Sequence, residues 1–126
     1  MHPFGTALEA GDARAAAALL ADDVVFSSPI VFRPYTGRAA PAAAIAAAAR
    51  VLDDFAYEKE LSSADGRDHA LVFRARVGEK EIEGCDFVHV GDDGLIDELT
   101  VMVRPLSAAL AFREAMAAEL AEPSRP

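Results

Sequence analysis

The sequence predicts an α+β domain in which a cone-shaped, curved antiparallel sheet packs against N-terminal helices, with a further helix at the C-terminus. The first half is rich in alanine and in helix-start and helix-stop signals, whereas the second half alternates apolar and polar residues between turn signals. Helices followed by a run of strands are typical of domains in which helices cover one face of an antiparallel sheet. A length of 126 residues fits a single domain over 1–126.

The first half is predicted to contain three helices and one short strand. In order, they are a helix that begins at Pro3 and is stopped by Gly11, a helix over 13–21, a β segment over 24–26 and, after a loop over 27–38, a helix over 42–52. Pro3 and Pro41 suit the first turn of a helix, where a missing N–H costs no hydrogen bond. Asp12 can cap the second helix with its carboxylate. The alanines of the third helix favour helix formation and allow close approach to a sheet.

The second half is predicted to be an antiparallel meander followed by a helix. Its strands are predicted over 55–64, 69–77, 81–90 and 95–103, and its helix from Pro105 to about Ala121 with Leu106, Leu110, Arg113, Met116 and Leu120 at helical spacing. The segment over 91–94 favours a hairpin because Asp and Gly tolerate the positive φ that such turns need. Alternation in the last strand places Leu95, Leu99, Val101 and Val103 on one face. Residues 122–126 are expected to fray.

Asp86 is the first candidate for a functional residue. It shares a strand face with Ile82, Gly84, Val88 and Val90, which is otherwise apolar. Because a core does not accept an unpaired carboxylate cheaply, either this face lines a cavity that uses the carboxyl group or Asp86 has a structural partner. Burial can raise the pKa of a carboxyl by several units from about 3.9. Asp86 is therefore a candidate acid, base or ligand-orienting group.

Several segments resemble the nuclear transport factor 2-like superfamily. They are Ala10-Gly11-Asp12, Leu20-Ala21-Asp22-Asp23-Val24-Val25-Phe26, Ser28-Pro29, Gly84-Cys85-Asp86 and Asp93-Gly94-Leu95-Ile96. Within the superfamily the chain looks most like the SnoaL-like group, named after a polyketide cyclase, over nearly its whole length. The resemblance implies the cone-shaped, cystatin-like fold and a homodimer. It leaves the function open, since this fold hosts isomerases, cyclases, hydrolases, dehydratases and non-catalytic binders.

Comparison with ketosteroid isomerase, which has this fold, matches one functional group of three. That enzyme uses a carboxylate base and an oxyanion hole made of a tyrosine and a protonated aspartic acid. The resemblance places the aspartic acid at Asp86, the base at Ser28 and the tyrosine at Phe4. Ketosteroid-type isomerisation by that mechanism is therefore not expected.

Ser28 and Tyr35 are candidate ligand contacts because they lie in or beside the loop that would rim the cone. The serine can hydrogen-bond a ligand or a water but cannot serve as a base, and the tyrosine can donate from its hydroxyl or simply pack. The apolar residues expected to form either pocket wall or plain core are Phe26, Ile30, Phe73, Val88, Leu99, Val101 and Val103. A pocket with one or two polar groups would suit a small, mostly apolar ligand.

Other polar residues of the sheet are expected away from Asp86. His89 has the opposite parity and should face outward, whereas His69 has the inward parity of its strand and should lie near the rim. Arg74 and Arg76 should face outward and pair with glutamates of neighbouring strands.

The outer face of the sheet is predicted to be unusually apolar. Its residues are Val72, Cys85, Phe87, His89, Thr100 and Met102. A large exposed apolar surface usually marks an interface, so we expect an isologous homodimer through the sheet.

Composition argues against several kinds of partner. The formal net charge of −9 disfavours nucleic acid and anionic membrane surfaces. One cysteine and three scattered histidines offer neither a disulfide nor the spacing of metal ligands. The sequence has no apolar run long enough to span a membrane and no recognisable secretory signal. We therefore expect a reduced, cytoplasmic setting, with no metal and no organic cofactor.

Two functions are compatible with these features. In the first, a SnoaL-like pocket binds a small hydrophobic substrate and Asp86 catalyses proton transfer at carbon, as in an isomerase, a cyclase or a dehydratase. In the second, the same pocket binds a small hydrophobic ligand without catalysis, and Asp86 orients it. A scaffold that merely dimerises has no support beyond the apolar outer face.

Overall fold

The structure, a computed structural model, describes residues 1–121 and contains four helices and six strands over that range. The helices are α1 (Pro3–Glu9), α2 (Ala13–Ala18), α3 (Ala39–Val51) and α4 (Leu106–Ala121). The strands are β1 (Leu20–Ser27), β2 (Tyr35–Thr36), β3 (Asp53–Ser62), β4 (Asp68–Val77), β5 (Lys80–Val90) and β6 (Ile96–Arg104). The predicted fraying of 122–126 lies outside the described residues.

The strands form one curved, open sheet, and the predicted α+β class is confirmed. Their order is β2-β1-β6-β5-β4-β3. Strands β3 to β6 are the predicted antiparallel meander, while β1 runs parallel to β6 and antiparallel to β2. The N-terminal half of the chain is thus joined to the C-terminal half through the pairing of β1 with β6.

The helix-start signals act as expected, with two differences in length. The N–H of Ala15 donates to the Asp12 carboxylate at 3.0 Å, which caps α2. Helix α2 stops at Ala18 rather than at 21 because Leu20 already pairs with Ile96 of β6. Strand pairing has overridden the helix propensity of the alanines there. Helix α3 begins at Ala39, so that Pro41 still lies in its first turn.

The predicted loop over 27–38 contains a short strand that the sequence did not reveal. Tyr35 and Thr36 form β2, opposite Phe26 and Val25 of β1. Two residues are too few to show a hydrophobic alternation. The remaining loop residues, 28–34, connect β1 to β2.

Helix α4 buries a different face from the one that its leucines suggest. Ala108, Phe112 and Met116 are buried, whereas Leu106 and Leu110 are 74% and 42% exposed. The buried residues are four apart and include a small Ala108, which lets the helix lie close to its neighbours. The predicted helix is therefore present, but of the residues noted for their helical spacing Met116 is buried whereas Leu106, Leu110 and Leu120 are exposed.

A bulge shifts the inward face at the start of β6. His89 of β5 pairs with Glu98, but the next residue, Val90, pairs with Ile96, so that Asp97 is the extra residue. Ile96 is consequently fully buried and Leu95 is only partly buried. The prediction that Leu95 is the inward residue is corrected to Ile96, while Leu99 is buried as expected.

Gly84 leaves room for the ring of Phe73 on the inner face of β5. A Cβ at this position would lie 2.6 Å from Cε2 of Phe73 and 2.9 Å from the carbonyl oxygen of Met102. Phe73 is the cross-strand partner of Gly84, and its ring occupies the space that a side chain would need. The missing side chain therefore determines where the Phe73 ring lies.

Candidate functional site

A cavity of about 290 Å³ lies between the inner face of the sheet and the helices. Its wall is mostly apolar, with contributions from α1, α3, α4 and the sheet. The polar side chains on the wall are those of Glu9, Ser28 and Asp86, and no Lys, Arg or His lines it among residues 1–121. The apolar wall includes Phe4, Leu8, Phe26, Ile45, Phe55, Phe73, Ile82, Leu99, Val101, Val103, Phe112 and Met116.

Asp86 lies on β5 with its carboxyl group on the cavity wall. Its inward neighbours on the strand, Gly84 and Val88, are buried, as the alternation predicted. Asp86 itself is 5% exposed. Burial raises the pKa of Asp86 to about 6, and a hydrogen bond from Tyr57 acts in the opposite direction. The carboxyl group therefore titrates close to neutral pH rather than near pH 4.

Tyr57 is the partner of Asp86, and the sequence analysis did not single it out. Its hydroxyl donates to Oδ2 of Asp86 at 2.5 Å. The Tyr57 ring meets Phe55 and Phe73 edge-on, with centroids 5.0 Å and 6.2 Å away. Burial and the adjacent Asp86 carboxylate raise the pKa of Tyr57, so that its hydroxyl stays protonated and continues to donate. A tyrosine on the inward face of a strand was the available signal, because a buried hydroxyl needs a partner.

Glu9 is the second residue of the site that the sequence analysis missed. It ends α1, lines the cavity and is itself exposed. Its Oε2 accepts a hydrogen bond from the backbone N–H of Tyr57 at 2.7 Å. Strand β3 is an edge of the sheet, so Glu9 both pairs an edge N–H and ties α1 to the strand that carries Tyr57.

Ser28 lines the cavity at the end of β1 with its hydroxyl in a defined role. Its Oγ accepts hydrogen bonds from the N–H groups of Ile30 at 3.3 Å and Val31 at 3.1 Å. A serine oxygen has two lone pairs, and both are engaged. The hydroxyl hydrogen is left as a donor, which suits a carbonyl oxygen of a ligand and does not suit a nucleophile.

The cavity brings together seven of the nine predicted site residues. They are Asp86, Ser28, Phe26, Phe73, Leu99, Val101 and Val103. The structure places Tyr35 outside the wall, because this residue lies on β2, is largely exposed and stacks on Phe26 at a centroid distance of 6.2 Å. Val88 also lies off the wall, since it is buried in the core with Leu71 and Leu99. The functional role of all nine stays a prediction.

Several other charged residues form pairs away from the cavity. Arg74 contacts Glu58 at 2.6 Å and Glu83 at 3.6 Å, and Arg76 contacts Asp54 at 2.7 Å. His69 is mostly buried beside Glu60 at 3.5 Å, with its ring 4.9 Å from that of His2. None of these side chains lines the cavity.

One group of residues within 1–121 has the spacing of metal ligands. His89, Asp97 and Glu98 place donor atoms within 4.8 Å of one another where the bulge of β6 meets β5. Nδ1 of His89 is 2.6 Å from Oδ1 of Asp97, and this hydrogen bond raises the pKa of His89. The histidine and the carboxylate thus satisfy each other without an ion.

The outer face of the sheet carries exposed and half-buried, mostly apolar side chains on adjacent strands, which we call the outer patch. It consists of Val72, Cys85, Phe87, Thr100 and Met102, in which Cys85 pairs with both Val72 and Met102, and Phe87 pairs with Thr100. Phe87 is 42% and Met102 58% exposed. Within residues 1–121, no helix is both long and apolar enough to cross a membrane.

Comparison with known proteins places the chain in a family. The sequence model of the SnoaL-like domain matches residues 3–99. A crystal structure of a steroid delta-isomerase from Pseudomonas aeruginosa is 40% identical, with a TM-score of 0.87 over 92% of this chain and 85% of that one. An uncharacterized bacterial protein with a cystatin-like fold from Silicibacter pomeroyi is 33% identical, with a TM-score of 0.89 over 98% and 89%.

More distant structures show the fold alone. The epoxide hydrolase/cyclase-like enzyme SalBIII, associated with pyran ring formation in the polyether salinomycin, is 15% identical, with a TM-score of 0.66 over 83% of this chain and 87% of that one. No curated protein matches the sequence. From the family match and the two relatives above 30% identity, the chain belongs to the SnoaL-like domain family of the nuclear transport factor 2-like superfamily.

Proposed function

We propose that the protein binds a small, mostly apolar molecule in the cavity and catalyses proton transfer at a carbon atom of that molecule. The observation that carries this proposal is the Asp86 carboxyl group, buried on an apolar cavity wall with its pKa raised to about 6. At pH 7 about nine in ten such groups are ionised, so a strong enough base is present where water is scarce.

The polar groups of the cavity suit chemistry beside a carbonyl group. Ser28 has a hydroxyl hydrogen left to donate to a carbonyl oxygen. In the proposed reaction Asp86 removes a proton from the neighbouring carbon and returns it elsewhere on the substrate. Tyr57 holds the carboxylate in place throughout. Isomerisation, aldol-type cyclisation and dehydration all contain such a step.

The similarity to the steroid delta-isomerase supports an isomerase among these alternatives. The route must differ from the ketosteroid isomerase mechanism, because Ser28 and Phe4 stand where the resemblance places the base and the tyrosine. In the proposed reaction Asp86 takes the role of the base. The hydroxyl that Phe4 cannot supply is present on Tyr57, where it donates to Asp86 itself.

A panel of β,γ-unsaturated ketones, including a steroid, tests the proposal. Isomerisation is followed by the ultraviolet absorbance of the conjugated product, and proton removal by deuterium exchange at the carbon beside the carbonyl. Asp86→Asn should lower the rate by roughly 10²–10⁴-fold while ligand binding persists. The matched control is Glu98→Gln, which removes an exposed carboxylate that does not line the cavity. Full activity of Asp86→Asn would show that the assignment of the base is wrong.

Non-catalytic binding of a small hydrophobic ligand is the second candidate. It is favoured by the departures at Ser28 and Phe4, which leave Asp86 without the partner base of the isomerase. Under this function the cavity still binds apolar ketones, but wild-type protein promotes no exchange at carbon. Binding calorimetry beside the exchange measurement separates the two candidates.

We also propose an isologous homodimer through the outer patch. Its exposed apolar side chains lie on the face opposite the cavity, so two copies can associate without covering the ligand site.

A further inference from the structure

The charged groups of the cavity bear on the class of ligand, given the binding function proposed above. Glu9 and Asp86 are both carboxyl groups, and no cationic side chain lines the wall among residues 1–121. Several arginines elsewhere pair with acids on the surface, such as Arg38 with Asp22 at 3.4 Å. An anionic ligand would therefore meet two acids and no counter-charge.

The geometry of Glu9 leaves one of its oxygens available. Oε2 accepts the N–H of Tyr57, which fixes the carboxylate against β3. Within the described residues, no hydrogen bond or ion pair involves Oε1, and the Glu9 side chain is exposed where it lines the cavity. A carboxylate held by one oxygen at a cavity wall is preorganised to accept a hydrogen bond with the other.

We propose that Glu9 is a ligand-binding residue and that the ligand carries a hydrogen-bond donor, an amine or a hydroxyl group, on an otherwise apolar body. The donor binds Oε1 of Glu9 at the solvent-facing part of the wall, and the apolar body fills the space up to Asp86. An ammonium group binds more tightly than a hydroxyl, and a carboxylate at the same position is rejected.

Structural pairing of the edge strand is the competing role for Glu9. Glu9→Gln separates the two roles, because the glutamine carbonyl can still accept the N–H of Tyr57 while the charge is lost. The matched control is Glu79→Gln in the turn between β4 and β5, which removes an exposed carboxylate that does not line the cavity.

The affinities of three probes that share a naphthalene ring and differ in the charge of their substituent test the proposal. The probes are 2-naphthylmethanol, its ammonium counterpart (2-naphthylmethyl)ammonium, and 2-naphthoate. The protein has no tryptophan, so naphthalene fluorescence can be followed directly in a titration. An Ala48→Phe variant, which fills the cavity from α3, should abolish binding of all three and so locate the site.

We expect wild-type protein to bind the ammonium probe about fivefold more tightly than the alcohol, the upper range for a partly exposed ion pair. The carboxylate should bind roughly tenfold or more weakly than the alcohol, because it meets two acids. In Glu9→Gln the advantage of the ammonium over the alcohol should shrink, whereas Glu79→Gln should keep it.

Different failures have different meanings. Carboxylate binding equal to that of the alcohol, or an unchanged ammonium preference in Glu9→Gln, would overturn the role of Glu9 and leave the proposed cavity function standing. Absence of binding for all three probes would overturn both the role of Glu9 and the proposed cavity function. A cavity of this size and polarity must accept a bicyclic apolar body if it is a ligand site. If the probes still bind the Ala48→Phe variant, the ligand lies outside the cavity, and the role of Glu9 and the proposed cavity function are both wrong.

Discussion

At the scale of single residues, Asp86 and Tyr57 form a unit whose parts depend on each other. The hydroxyl of Tyr57 compensates part of the cost of burying the carboxylate, and the carboxylate provides the acceptor that a buried hydroxyl needs. Burial nevertheless dominates, because the pKa of Asp86 remains raised to about 6. The residual cost is what makes the group titrate near neutral pH.

This cost predicts a pH dependence of folding stability. Because the pKa of Asp86 is about 6 in the folded state and near 3.8 ordinarily, its contribution to stability is complete below the lower value. It is lost as pH rises through the folded pKa, by ~3 kcal/mol in total at 1.36 kcal/mol for each pKa unit. Roughly half of that loss falls between pH 5 and pH 8.

Urea unfolding of wild-type protein and Asp86→Asn across pH 5 to 8 checks the effect. Asparagine keeps an oxygen for the Tyr57 hydroxyl but does not titrate. The free energy of unfolding of the variant, relative to that of wild type, should therefore increase as pH rises. Parallel stability curves would show that Asp86 does not carry the proton.

Tyr57→Phe tests the other half of the pair. The hydrogen bond from Tyr57 lowers the pKa of Asp86, so its removal should move the midpoint of the Asp86 titration to higher pH. Carbon-13 NMR of the carboxyl group measures that midpoint without any substrate. Tyr35→Phe is the control, because Tyr35 lies off the cavity wall and should leave the midpoint unchanged. An unmoved midpoint in Tyr57→Phe would mean that the hydroxyl does not bind the carboxylate in solution.

At the scale of elements, α4 shows how a regular pattern can indicate the wrong face. Leucines at 106, 110 and 120 read as a packed row, yet the buried row begins at Ala108 and continues through Phe112 and Met116. Both rows have helical spacing, and the sequence contains no local signal that ranks them. Packing of Ala108 and Phe112 with α3 and the sheet decides between them.

Paired substitutions in α4 check this assignment. Phe112→Ala removes a buried ring and should destabilise the protein by about 3–5 kcal/mol. Leu106→Ala changes a side chain that is 74% exposed and should cost within about 0.5 kcal/mol. Urea unfolding measures both, and equal costs would contradict the observed orientation of the helix.

The same contrast between local and non-local information explains what the sequence could predict. Helices, the meander and the inward face of β5 follow from caps, turns and alternation, which are properties of neighbouring residues. Asp86 could be identified as a candidate because it interrupts the apolar face of its own strand. The bulge at Asp97 could not be predicted because it interrupts an alternation without a glycine to mark it.

The roles of Tyr57 and Glu9 in the site could not be predicted for a related reason. Tyr57 lies opposite Phe73, which in turn lies opposite Gly84, so its hydroxyl reaches Asp86 across an intervening strand. Glu9 becomes part of the site because α1 ends beside β3, 48 residues along the chain. The position of Glu9 leaves no trace in its neighbouring residues, and the local signal for Tyr57 is limited to an inward-facing hydroxyl that needs a partner.

At the scale of the whole molecule, the sheet separates two surfaces with different uses. Its inner face and the helices enclose the cavity, and its outer face carries the outer patch. Strands β4, β5 and β6 contribute to both surfaces, with Asp86 pointing inward and its neighbours Cys85 and Phe87 on the other face. The proposed dimer would thus support the strand that holds Asp86.

Met102→Glu tests that dimer. An isologous contact buries the same patch on both subunits, so two new charges would enter the apolar interface and the protein should become monomeric. Sedimentation at micromolar concentration measures the change. Leu106→Glu, at a more exposed position on α4, is the control and should stay dimeric. A monomeric wild-type protein would contradict the proposal outright.

The parallel pairing of β1 with β6 has a consequence for how the protein is made. Phe26 lies beside Leu99 on the cavity wall, so strands from opposite ends of the chain complete that wall together. Closing so long a loop is slow, because its entropy must be lost before the contacts form. During synthesis, about the first hundred residues must leave the ribosome before β6 can dock. Ligand binding is therefore among the last properties that the nascent chain acquires.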